Sequence, residues 1–173
     1  AGNDRDKSIH ASVQLSGSQT AAEVTFQVDS YRPQPGIDND KIQFDGWYPG
    51  RNNVSISLTT PGGQTIGPVK KGSWKEENTP EGSVYIWNGL YETGRWLVSG
   101  VNPFNGDNEF FIQIADEHVG RIPAQGVWTI RLAGNGGKID IYKSSATMDV
   151  WFLQGEASNG KISIPGTSKN AIT

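Results

Sequence analysis

The feature that most constrains this chain is a two-residue rhythm that is repeatedly interrupted. Val54-Ser55-Ile56-Ser57-Leu58 alternates apolar and polar, so as an extended strand it has one dry face and one wet face. Residues 109–114 and 127–132 repeat the pattern. Between such runs lie Pro49-Gly50, Pro61-Gly62-Gly63, Asn88-Gly89, Asn105-Gly106 and Asn135-Gly136-Gly137, which supply the fixed or positive φ a reversing chain needs. No stretch sustains a capped 3.6-residue apolar period. The pattern predicts strands over 9–15, 23–28, 41–47, 53–60, 66–70, 83–88, 108–115, 126–133, 138–142 and 146–153. The fold expected from them is all-β, a two-sheet antiparallel sandwich of jelly-roll type with no significant helix.

Composition bounds what such a sandwich can do. With 173 residues the chain is one domain's worth of sequence. Its apolar share of 35% reaches the ordinary globular range once the 22 glycines are added. The absence of cysteine removes disulfides, thiol catalysis and thiolate metal sites together. A net charge of −3 argues against nucleic acid as a partner, because phosphate binding needs clustered Lys and Arg. No apolar run is long enough for a membrane span, and no charged start leads into an apolar segment.

Candidate chemistry is sparse. The two histidines, His10 and His118, lie in no hydrolase motif and are read as structural or exposed. The carboxylates offer no specific pairing without geometry. Two acidic clusters suit calcium, which takes carboxylate and carbonyl oxygens: Asp38-Asn39-Asp40, and the stronger Asn105-Gly106-Asp107-Asn108-Glu109. Asp107 and Glu109 are the candidate ligands. The same residue types also build tight turns, and no cofactor is required by anything in the sequence. Of six tryptophans, Trp128 and Trp151 sit in alternating strands and are expected in the core. Trp47-Tyr48, Trp74, Trp87 and Trp96 flank turns and are expected to be partly exposed at a domain boundary.

The two ends fit the sandwich poorly. Ala1-Gly2-Asn3-Asp4 resembles the Ala-Gly-Asn segment of subtilisin-like serine peptidases, and Ile164-Pro165-Gly166-Thr167-Ser168-Lys169-Asn170-Ala171-Ile172-Thr173 resembles that family's later Pro-to-Ile-Thr segment. The middle is similar to the β-sandwich inserted between those segments in one branch of the family, which includes the clostridial spore-germination type. The matching stretches are Trp47-Tyr48-Pro49-Gly50, residues 54–63, Asn105-Gly106-Asp107-Asn108, residues 126–132 and Asp149-Val150-Trp151. Asp4 stands where the family commonly has Glu.

The resemblance implies a division into a catalytic-domain remnant (1–8), an inserted sandwich (9–157) and a strand returning to the catalytic domain (158–173). It implies that Asn3 is an oxyanion-hole donor, a role worth about 2.7–4 kcal/mol in an assembled site. It also implies that the family's catalytic Asp, His and Ser lie outside this stretch, so the chain is inactive by itself. The expected partners are the rest of the peptidase catalytic domain and a protein or propeptide substrate. The expected location is secreted or cell envelope. The rival expectation is a self-standing β-sandwich module that binds carbohydrate or a cell surface.

Overall fold

The computed structural model describes residues 8–15, 17–94, 96–135 and 137–153. Among these residues the chain forms strands and turns without a helix. In chain order the strands are β1 (His10–Leu15), β2 (Ala21–Val28), β3 (Lys41–Pro49), β4 (Val54–Thr59), β5 (Thr65–Val69), β6 (Ser73–Thr79), β7 (Gly82–Asn88), β8 (Leu90–Glu92), β9 (Leu97–Ser99), β10 (Asp107–Ala115), β11 (Gly126–Gly134), β12 (Gly137–Ala146) and β13 (Val150–Phe152).

The strands assemble into a six-stranded sheet, β1-β12-β3-β10-β7-β6, and a five-stranded sheet, β13-β2-β11-β4-β5, with β8 and β9 as a separate ribbon. Every pairing is antiparallel. The two sheets pack face to face, with β1 against β2 towards one end and β6 and β7 against β4 and β5 towards the other, and the chain steps from one sheet to the other as it passes from β1 to β2 to β3 to β4, from β5 to β6 and from β10 to β11 to β12 to β13. That interleaving is the jelly-roll arrangement expected from the turn spacing.

Alternation decides which side chains meet. Phe26, Phe44, Phe110, Ile112, Trp128, Ile130 and Phe152 fill one continuous core. Phe26 lies 4.6 Å from Phe44 and 6.2 Å from Trp128, between ring centroids. Gly46 belongs to this face too. It stands opposite Phe110, whose ring occupies the space a Cβ would take.

Three strands escape the sequence pattern. β6, Ser-Trp-Lys-Glu-Glu-Asn-Thr, reads as a polar linker but pairs along its whole length with β7, from Ser73↔Asn88 to Thr79↔Gly82. It is an edge strand, and charge on an edge discourages pairing with other chains. β8 and β9, three residues each, are too short to show a period. Conversely, β12 runs on to Ala146 through a bulge between Lys143 and Ser145, and the expected strand over 146–153 shrinks to β13.

The tryptophans redistribute as well. Trp128 is fully buried, as expected. Trp151 is only half-buried, because Val150 and Phe152 take the inward positions and Trp151 shares its register with the outward-facing Gln27. Trp87 and Tyr48 are buried rather than partly exposed, while Trp74 and Trp96 are 60% and 73% exposed.

Candidate functional site

Three polar places stand out, and the first is where the first and last described segments meet. β1 and β13 are outermost strands of their respective sheets. The amide of Phe152 donates to the carbonyl of Ser8 at 2.8 Å, and that of Lys143 to Ile9 at 2.8 Å. The first and last described segments are therefore stitched together on one edge. His10, the next residue inward, is buried, pairs with Asp140 at 2.9 Å through Nε2 and stacks on Tyr142 with ring centroids 4.5 Å apart. Burial acts to raise the Asp140 carboxyl, but hydrogen bonds from His10, Lys138 and Ser12 outweigh it and hold the group down to about 2. This is a structural use of His10, as the sequence suggested. His118 is exposed and lies in a small turn closed by Arg121.

The second place is the outer face of the six-stranded sheet. Trp47 and Glu109 are directly opposite there, with Asp45, Phe111, Trp87 and Trp74 along the next row. Trp87 stacks on Phe111 at 5.7 Å. Burial pushes Glu109 up to about 7. The Asn102 amide, which donates to it at 3.3 Å, opposes the rise, and the charges of Asp45 and Glu92 add to it.

Asp107 precedes Glu109 by two residues on the same strand face. The segment before it is a turn: Asn105 Oδ1 accepts from the Asp107 amide at 2.9 Å, and Gly106 has φ 74°. Asn108, from the same cluster, points inward and donates to the carbonyls of Pro49, Gly50 and Asn52 at 3.0–3.2 Å. Among the described residues, no three Asp, Glu, His or Cys side chains gather as a set that could hold a metal ion. The proposed oxyanion donor Asn3 and the segment 158–173 lie outside the described residues.

The third place was half visible in the sequence. Asp40, from the weaker acidic cluster, continues the β3–β10 register one step beyond Lys41↔Ala115 and so stands opposite Asp116. Both are 1% exposed. Asp116 follows a strand without any motif around it, and only the register shows where it lies.

No family model matches the chain, and no curated protein matches it. Among solved structures, the chain is similar to that of the Clostridium perfringens CspB protease, with 21% sequence identity and a TM-score of 0.69. The match covers 98% of this chain and 32% of that one, so the chain spans about a third of the protein it resembles. What the two share at this identity is the fold.

Proposed function

We propose that this chain is a non-catalytic insertion domain of a subtilisin-like serine endopeptidase, bracing the catalytic domain or controlling substrate and propeptide access. The observation that carries the reading is the hydrogen bond from Phe152 to Ser8. A domain spliced into a host must return the chain near the point where it left, and a sandwich whose first and last described segments are hydrogen-bonded to each other suits that requirement. The Ala-Gly-Asn and Pro-to-Ile-Thr segments outside that stitch supply the host, and the fold likeness to a protease adds support.

On this reading Asn3 serves the oxyanion of the host's active site. The partners are the rest of the catalytic domain and its substrate or propeptide, and the location is secreted or cell envelope. The test is the intact reading frame: an Asp- and His-bearing segment should precede Ala1 and a Ser-bearing segment should follow Thr173. In the purified parent, replacing residues 9–153 with a short Gly-Ser linker should reduce cleavage of folded protein far more than cleavage of a short peptide if the domain controls access. Equal loss of both, with a lower melting temperature, would assign it to bracing. A frame lacking those flanks ends the insertion reading.

The exposure of Trp74 and Trp96 favours a second reading, a carbohydrate-binding module, since exposed aromatic rings are ready contact surfaces. Retention of the chain on immobilised polysaccharide, lost in Trp74→Ala, would support it.

A further inference from the structure

Two buried acids face each other across the β3–β10 ladder with no described cation beside them. Residues 40 and 116 both fall on the inward face that carries Ile42 and Ile114. The Asp116 amide donates to the Asp40 carbonyl at 3.2 Å, which fixes the pair as cross-strand neighbours. Like charges directly opposite in an antiparallel pair repel, and a buried charge is costly without a compensating partner. Yet no ion pair joins either acid to a described Lys, Arg or His. The nearest lysine in sequence, Lys41, pairs with Asp38 instead.

The hydrogen bonds indicate how the repulsion is relieved. Asp116 Oδ1 accepts from the amides of Asn39 and Asp40 at 2.9 and 3.0 Å, and Asp40 Oδ2 accepts from the amide of Gln34 at 2.9 Å. Amide donors offset part of the cost of burying a carboxylate. Asp116 Oδ2 is buried and has no hydrogen-bond partner, and the same holds for the side-chain oxygen of Asn39, whose nitrogen donates to the Pro35 carbonyl at 2.8 Å. Oxygen lone pairs without donors, on and beside two buried carboxyl groups, suit a hard cation.

We propose that Asp40, Asp116 and the Asn39 side-chain oxygen form a calcium site that fastens the 29–40 loop to the end of β10. All its donors are oxygen, which selects calcium over softer ions. Two carboxylates place its affinity at the weak end of the calcium range, about 0.1–1 mM, where extracellular modules operate. The site is separate from Asp107 and Glu109, and it does not depend on the insertion reading.

The experiment is a thermal melt of the whole chain, stripped with chelator and then titrated with calcium chloride, with sodium chloride at matched ionic strength as control. The expected result is a rise of about 3–10 °C at about 10 mM calcium, abolished in Asp116→Asn and retained in Asp107→Asn. Isothermal titration of calcium into wild-type chain gives a second readout should Asp116→Asn fail to fold, and one site should appear. A flat melting temperature together with no heat of binding overturns the proposal. So would Asp116→Asn being more stable than wild type at every calcium concentration, since that is the signature of plain repulsion relieved. A calcium response that Asp107→Asn removes and Asp116→Asn keeps would move the site to the β10 turn.

Discussion

Single side chains carry much of this sandwich, and Trp128 is the largest of them. It is fully buried, packs on Phe26 and donates from Nε1 to the Ala124 carbonyl at 3.0 Å. Trp128→Ala should cost about 3–5 kcal/mol, measured as a lower denaturant midpoint; an unchanged midpoint would contradict the packing. Asn88 is the polar counterpart. Its side chain accepts from the Tyr48 hydroxyl at 2.8 Å and donates to the carbonyls of Val54 and Val69 at 2.7 and 3.0 Å, tying β7 to β4 and β5 inside the molecule. Asn88→Leu strands three buried groups, each costing about 1–3 kcal/mol, and should destabilise far more than Tyr48→Phe, which strands one. Glu109 gives a pH prediction of fixed sign. Its folded carboxyl lies above its ordinary value of 4.5, at about 7, so between those values the folded chain holds a proton the unfolded chain has lost. Stability from this group therefore falls as pH rises through the window, and Glu109→Gln should flatten that slope in melts from pH 4 to 8. Trp128 was legible in the sequence because its neighbours at two-residue spacing are apolar. Asn88 was not, because an Asn before a Gly reads first as a turn.

At the scale of elements, β3 and β10 organise both faces of the large sheet. Their alternation was plain in sequence, and nine residue pairs keep register from Lys41↔Ala115 to Pro49↔Asp107. Within that ladder Gly46 is an inward position without a side chain, and Phe110 fills it. Gly46→Val should destabilise by about 1–3 kcal/mol through overpacking, seen as a lower melting temperature. A compensating Phe110→Ala in the same chain should recover little, because it opens its own cavity. The strands that sequence missed share a physical cause. An inner strand must alternate, since one face is dry, but an edge strand such as β6 is free to carry Lys75, Glu76 and Glu77. Its Trp74 and Tyr85 contact lies on the outer face, with rings 6.0 Å apart. Hydrophobic period is a record of burial, and an element that buries little leaves no such record. The Asp40–Asp116 pair was hidden for a related reason: one acid lies just before β3 and the other just after β10, and only the tertiary register brings them together.

At the scale of the molecule, the insertion reading predicts that the isolated chain hydrolyses no peptide. Cleavage by the purified chain, blocked by a serine-directed inhibitor and absent from a mock preparation, would show that a nucleophile had been overlooked. The sandwich class was legible because turns recur at short, regular intervals; the sheet partners were not, because alternation says which face is dry but not which strand lies alongside. The stitch at Ser8 and Phe152 bears on time as well as on shape. β1 pairs with β12, with His10 against Tyr142, and β13 closes on β2, so the earliest strands find partners among the last. During synthesis β1 must wait with an unpaired edge until β12 has left the ribosome, and ladders of such long sequence separation form slowly. If the chain is an insertion, the host's two halves inherit that delay, because the segment that returns to them follows β13. The pace at which this sandwich closes would then set the earliest moment at which the enzyme around it could become active.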